Sequence, residues 1–180
     1  MEAAEVAETF SSDRHVLASA RDGSEEAGRR LMADHGPSML ATAWHVLGRY
    51  GGNDAEDVVQ ESFIAALTTD ALPHGDVGAW LRSIAARKAL DTLRGARRRA
   101  EDPLDDRRAT ATPSAEVLAV RQALSRLSPA DRAVLVLVDL EGHSMAEAAA
   151  VLGATNVGTR LRAVRARRKL ALLLRGRRNA

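Results

Sequence analysis

Apolar residues recur at spacings of three and four along most of the chain, and no stretch shows the sustained alternation of a strand. This predicts an all-α protein. Residues 1–12 carry no packing stripe and are expected to fray, and Asp13 to Ala20 reads as a short helix stopped by Arg21-Asp22-Gly23. Ser24 with Glu25 and Glu26 starts a second helix, which carries Leu31 and Met32 towards a break at Gly36-Pro37. Ser38 then caps a third, with Leu40, Ala43, Trp44 and Leu47, ending at Gly51-Gly52. Asn53 and Glu56 fit a capping box. The helix after it can turn Ala55, Val59, Ser62, Phe63 and Ala66 inwards, leaving Asp57, Gln60, Glu61 and Ile64 on the other side. Pro73, Gly75 and Gly78 mark a loop, and Asp76 caps a helix whose stripe is Trp80, Leu81, Ile84 and Ala85. Leu90 and Leu93 fall outside that stripe, so this helix has apolar residues on two sides.

The pattern lapses from Ala100 to Pro113, a Glu/Asp/Arg-rich stretch with two prolines that reads as a flexible linker. After it, Ser114 can cap a helix from Ala115 to Arg126. Ser128-Pro129-Ala130-Asp131 has the hydroxyl cap, first-turn proline and acid of a helix start, and Val134 to Val138 make that helix apolar on nearly every side. Glu141-Gly142-His143 breaks it. Ser144 and Glu147 fit a second capping box, Met145, Ala148, Ala149 and Leu152 form one stripe, and Gly153 stands where a left-handed residue is wanted. Thr155 can cap a last helix that runs past Arg160, Arg162, Arg165, Arg167, Arg168 and Lys169 with no acid among them. A buried helix, a short alanine-rich helix, a tight turn and a basic helix make a helix-turn-helix pattern; a helical hairpin with a solvated basic face is the plainer reading. The domain expectation is therefore 13–99, a linker over 100–113, and a helix-turn-helix domain over 114–176.

Composition changes the picture only in part. The chain has 180 residues, 46% apolar and 3% aromatic, enough for one or two small-residue-packed domains. A formal net charge of +2 conceals a polarised chain, acidic through Glu61 and basic from Arg82 onwards. The absence of cysteine excludes disulfides and thiolate metal sites. No signal-like segment or membrane-length apolar run is present, so a cytoplasmic protein without membrane insertion is expected. No phosphate loop, nucleophile elbow or His-Glu-x-x-His occurs, and Glu56 and Asp57 are too close in sequence to face each other as an acid–base pair. No catalytic residue, metal or cofactor is assigned. His35 and His45 are separated by a proline and read as ordinary surface or packing residues.

Two blocks carry a family resemblance. Leu127-Ser128-Pro129, Gly142-x-Ser144-x-x-Glu147, Leu152-Gly153 and Arg165-Ala166-Arg167 resemble the upstream-element-reading domain of bacterial RNA polymerase sigma factors, in their small extracytoplasmic-function (ECF) group. Asp54-Ala55-Glu56-Asp57-Val58-Val59-Gln60-Glu61 is similar to the segment of that family that docks on the polymerase clamp helices. The resemblance implies a sigma factor that binds core RNA polymerase and directs promoter-specific initiation on duplex and melted single-stranded promoter DNA, with an anti-sigma factor as a further partner. It places Asp57, Gln60 and Glu61 at the polymerase interface. Trp80-Leu81, Ile84-Ala85 and Leu90-Asp91 resemble the helix beside the melted downstream element, which implies DNA contacts by Trp80, Arg82, Arg87, Lys88 and Arg94. The loop before it then corresponds to the family's specificity loop, which holds a flipped base. In the last helix the implied upstream-element contacts are Thr155, Asn156, Arg160, Leu161, Arg162 and Arg165.

The sequence departs from the family twice. Arg87 stands where asparagine is common, and the expected glycine–threonine pair sits one residue late at Gly158-Thr159. One register turns Thr159, Ala163, Ala166, Leu170, Leu173 and Leu174 inwards and Val157, Leu161 and Val164 outwards; a one-residue slip buries Leu161. Two alternatives compete with the sigma-factor reading. One is a stand-alone helix-turn-helix regulator with a sensing or dimerising domain, which has no need of the Asp54–Glu61 block. The other is a helical scaffold for acidic protein partners.

Overall fold

The structure, a computed structural model, describes the backbone of residues 2–48, 52–71, 73, 75–99 and 115–178, with side chains except at 2–11, 52–53, 96–99, 115–116 and 176–178. Helices follow in the order α1 (Glu2–Arg21), α2 (Glu25–Leu47), α3 (Gly52–Thr68), α4 (Val77–Arg99), α5 (Ala115–Ser125), α6 (Pro129–Leu135), α7 (Met145–Leu152) and α8 (Asn156–Arg178). A π-helical turn, Val136–Leu140, continues α6. There is no strand among the described residues. None of their helices is long and apolar enough to cross a membrane. The expected linker at 100–113, the Ser114 cap and the Asn53 side chain lie outside the described residues, as do Leu72 and His74 of the loop before α4.

Three elements differ from the sequence expectation, one of them α3, which begins at Gly52 and so takes Asn53 into the helix instead of leaving it as the cap. Helix α1 begins at Glu2 rather than Asp13, since the alanine- and glutamate-rich start favours helix even without a packing stripe. Helix α2 runs unbroken through Pro37, so Ser38 lies inside it and caps no separate helix, and it ends at Leu47 with Gly48 as its cap, short of Gly51-Gly52. An interior proline removes a hydrogen bond and costs about 3 kcal/mol. Here the helix is held on both sides of it, because Leu31 before the proline and Met39, Ala43, Val46 and Leu47 after it belong to one buried cluster. The Ser38 hydroxyl also donates to the His35 carbonyl at 2.8 Å, occupying an acceptor in the turn where the proline sits.

In the N-terminal half α2 packs along α4, α3 closes against both, and α1 lies chiefly on α2. Ala55, Val59, Ser62, Phe63 and Ala66 are buried, with Val58 beside them, which fixes the rotation of α3. In the C-terminal half α8 is the platform on which α5, α6 and α7 rest. The local stop and start signals hold. The Ser128 side chain accepts from the Asp131 amide at 3.2 Å. Ser144 and Glu147 form a reciprocal capping box at 3.2 and 2.8 Å. Gly153 adopts φ 62° and ψ 39° to end α7. The bond from the Ser144 hydroxyl, more than any other cause, holds the Glu147 carboxyl below its usual range.

The halves share a core. Ala133, Val136, Leu137 and Ala148 are buried in the same cluster as Leu31, Val46, Leu81 and Leu93, while Leu124, Leu127, Val134, Leu135, Ala163 and Ala166 form a second cluster. Helix α4 accordingly packs on α6 and α7 as well as on α2 and α3, which explains its apolar residues on more than one side. At this junction Arg132 is 3% exposed. Its Nε and Nη2 donate to the carbonyls of Val46 and Leu47 at 2.6 and 3.0 Å, capping the C-terminus of α2 with a positive charge. Gly48, at φ 63°, admits the guanidinium: a Cβ there would stand 2.8 Å from Arg132 Cζ.

His45 lies at the same junction, and its pKa is lowered by burial first and then by Arg121, against an opposing pull from Glu141. The unfolded chain binds a proton near the ordinary value of about 6.5, and the folded chain does so only at lower pH. Stability due to neutral His45 is therefore complete above that value and falls as the pH drops below it. The melting temperature should decline from ~pH 7.5 to ~pH 5.5, and His45→Gln should flatten that decline. Parallel slopes for the two proteins would refute this account.

Candidate nucleic-acid interface

The first surface is the outer face of α3. Asp57, Gln60 and Glu61 are all exposed, beside an Ile64 that is 63% exposed. Burial of Ala55, Val59, Ser62 and Phe63 forces this arrangement, because those positions take the opposite side of the helix. Glu61 is not isolated: its Oε2 lies 3.2 Å from Lys88 Nζ on α4. Two residues that the sequence assigns to different partners thus meet at one edge of the N-terminal half.

The second surface is α4 with the loop before it. The Asp76 carboxylate accepts from the amides of Gly78 and Ala79 at 3.2 and 2.8 Å, setting the start of the helix. Trp80 is half-buried, and Arg87 and Arg94 are exposed. At helical spacing these three fall on one side. Arg94 pairs with Asp91 at 2.7 Å, an exposed contact of small worth. Arg82 lies on another side. It is not gathered with Trp80, Arg87 and Arg94, and instead meets Asp76 at 3.8 Å and Glu141 of the C-terminal half.

Two arginines of α1 complete this surface. Arg21 donates to the carbonyls of Ala66 and Ala71 at 2.8 and 2.9 Å, and its guanidinium carbon stands 5.6 Å from the centroid of the Trp80 ring. Arg14 donates to the Pro73 carbonyl at 3.0 Å. Arg14 and Arg21 are seven residues apart and so share a side of α1, and between them they tie down both ends of the loop. Sequence reasoning missed them because it gave α1 no packing partner. Their heptad spacing was the one available signal.

The third surface is α8. Its start is capped by Thr155, whose Oγ1 accepts from the Gly158 amide at 3.1 Å. Thr159, Ala163 and Ala166 are at most 1% exposed, whereas Val157, Leu161 and Val164 are 77%, 51% and 61% exposed. Of the two registers, this is the one with Leu161 outwards. Thr155, Asn156, Arg160, Arg162 and Arg165 are exposed alongside it. No acid among the described residues pairs with Arg160, Arg162 or Arg165. Arg167 differs, forming a two-pronged contact with Asp139 on the π-helical turn at 2.6 and 3.0 Å. That contact ties α8 to the end of α6 and makes Arg167 harder still to deprotonate. Placed after α7 and the left-handed Gly153, this helix offers a charged, partly apolar outer face of a size that suits a DNA major groove.

The family models of Sigma-70 region 2 and Sigma-70 region 4 match residues 31–99 and 118–170. Over 171 residues the chain is 33% identical to the ECF RNA polymerase sigma factor SigM of Mycobacterium tuberculosis, covering 91% of this chain and 85% of that one. It is also 33% identical, over 183 residues, to the RNA polymerase sigma factor CnrH of Cupriavidus metallidurans, covering 90% and 94% of the two chains. The solved structure of CnrH in complex with the cytosolic domain of CnrY superposes with a TM-score of 0.63 at 34% identity, covering 91% of this chain and 97% of that one. With both sigma regions matched in order and relatives aligned over nearly the full length, the chain belongs to the sigma-70 family, among the ECF RNA polymerase sigma factors.

Proposed function

We propose that the chain works as an initiation factor through three separate faces, each assigned to residues of its own. The outer face of α3, with Asp57, Gln60 and Glu61, docks on core RNA polymerase. Trp80, Arg82, Arg87, Lys88 and Arg94 of α4, with the preceding loop, hold the melted downstream element; Arg14 and Arg21 position that loop. The start of α8, with Thr155, Asn156, Arg160, Leu161, Arg162 and Arg165, reads the upstream element in duplex DNA. The corresponding domains are 13–99 and 114–176, with 100–113 as the tether. The chain itself catalyses nothing, since polymerase carries the chemistry, and it acts in the cytoplasm. An anti-sigma factor is a further partner, a reading supported by the CnrH–CnrY complex.

The observation that carries the DNA-reading part is the rotation of α8, which buries Thr159, Ala163 and Ala166 and turns Arg160, Leu161, Arg162 and Arg165 to solvent. A bidentate arginine–guanine contact discriminates between bases by about 1–3 kcal/mol. A phosphate contact adds about 0.9 to the salt slope and carries no sequence information. Arg162→Ala should therefore weaken binding to the cognate upstream element and flatten preference at one base pair. Neutralising Arg175, Arg177 and Arg178 should weaken all sequences alike. Competition binding against single-base variants at fixed salt decides between them, and an equal loss on every variant would make Arg162 a phosphate contact.

A further inference from the structure

We propose that α8 reads its upstream duplex by the C5-methyl groups of thymine, through an aliphatic stripe of Val157, Leu161 and Val164 on the outermost line of the helix. The proposal deepens the reading of α8 as the upstream-element helix and rests on it, and it adds Val157 and Val164 to the residues that set specificity. Helical geometry places the stripe. At about 100° per residue, Val157, Leu161 and Val164 fall within about 60° of one another, opposite the buried Thr159, Ala163 and Ala166. Arg160 and Arg165 stand about 70° to either side, and the exposed Arg168 continues the line after Val164. Isolated exposed apolar side chains are ordinary. Three on successive turns of an otherwise basic helix, each more than half exposed, make a continuous patch.

What covers the patch follows from its surroundings. Glu147 is the last acid in the sequence, so every charged side chain of α8 is positive, the complement of a groove walled by phosphates. With α8 in a major groove, Arg160 and Arg165 point towards the two walls and the stripe towards the floor. On that floor the thymine methyl is the one aliphatic group, and the base edges otherwise present hydrogen-bond donors and acceptors. Val157 and Val164 are about 10.5 Å apart along the helix axis, which spans about three base-pair steps of about 3.4 Å. Valine has little freedom at χ1, so both ends of the stripe are stiff. Discrimination then has two parts. A thymine methyl buried against the stripe adds about three- to fourfold in affinity. A guanine or cytosine edge in the same place loses water from polar groups that no aliphatic side chain can satisfy. The expected upstream element therefore carries A·T pairs over two or three neighbouring steps.

The test uses polymerase holoenzyme formed with the full chain. Its probe is a pool of duplexes with one randomised turn ahead of a fixed pre-melted segment, made once with thymine and once with uracil, which lacks only the methyl. From the thymine pool the parent should enrich A·T pairs at two or three neighbouring positions. From the uracil pool that enrichment should fall about three- to fourfold at each of them, with other positions unchanged. Leu161→Ala should lose about the same factor at one position of the thymine pool and be indifferent to uracil there, and Val157→Ala and Val164→Ala should do so at its neighbours. All three residues are exposed, so these variants leave the buried side of α8 intact. Equal enrichment from the two pools by the parent overturns the methyl reading. A uracil effect undiminished in all three variants overturns its assignment to the stripe. The double variant Arg160→Ala, Arg165→Ala judges the reading beneath. If it retains the duplex to within about twofold, α8 does not enter the groove; weakened binding together with equal pools keeps α8 in the groove and sinks the methyls alone.

Discussion

Replacing Arg132 by methionine is expected to lower the melting temperature by about 6–12 °C, a larger effect than any surface substitution in the chain should have. Methionine fills much of the space of the arginine stem, so the loss is chiefly that of the guanidinium. The carbonyls of Val46 and Leu47 then remain buried at the end of α2 without their donors. A buried polar group left unsatisfied costs about 1–3 kcal/mol, which puts the pair at about 3 kcal/mol after partial relaxation. For a chain of this length each kcal/mol moves the midpoint by about 2–4 °C. Gly48 gives an independent check. Gly48→Ala adds a methyl where the guanidinium stands and also strains a residue at positive φ, so it should destabilise in the same direction. Thermal melts followed by far-ultraviolet circular dichroism measure both. A shift within 2 °C of the parent for Arg132→Met, on the order of a surface substitution, would mean that the α2 terminus finds other donors.

The sequence disclosed what is encoded within a few residues. Ser128, Ser144 with Glu147, Gly153, Asp76 and Thr155 were legible because each completes a hydrogen-bond pattern with neighbours four or fewer positions away. The rotation of α3 and the register of α8 were legible for a different reason: over four or more turns a helix has one side that small and apolar residues can share. Pro37 misled, because its local effect opposes the tertiary burial of Leu31 and Met39 on either side, and only the fold reveals which is greater. Arg132 and Glu141 were illegible altogether. An arginine at the start of an apolar run and an acid at a helix break read locally as a solvated charge and a stop signal. Their partners lie 86 and 99 residues away, a separation that no local pattern spans. Arg82 falls in the same class, since sequence grouped it with the other basic residues of α4 and the fold turns it to the junction.

The double variant Gln60→Ala, Glu61→Lys should weaken binding to core RNA polymerase by at least about 30-fold while leaving helical content intact, and the reasons it should do so lie on one helix face. Gln60 and Glu61 are exposed, so neither substitution opens a cavity or strands a buried group, and each should cost within about 0.5 kcal/mol of stability. The contact of Glu61 with Lys88 adds little, because the two side chains are 62% and 37% exposed and such pairs contribute at most about 1 kcal/mol. Lysine at position 61 sets two ammonium groups side by side, yet both have solvent into which to swing. Binding is affected differently. An interface buries a few residues that carry most of its energy, with truncations costing about 2 kcal/mol or more each, and a reversed charge at a complementary surface adds repulsion. Ile64, one turn on, is 63% exposed, and on the proposed docking face it would add an apolar contact. Ile64→Ser should therefore weaken polymerase binding too, by a smaller factor, with no loss of stability. Arg162→Ala, on a helix of the other half, should leave polymerase binding unchanged and serves as the control. Retention of binding to within about twofold in the double variant, measured by titrating labelled chain with core polymerase at fixed salt, would move the polymerase interface off α3.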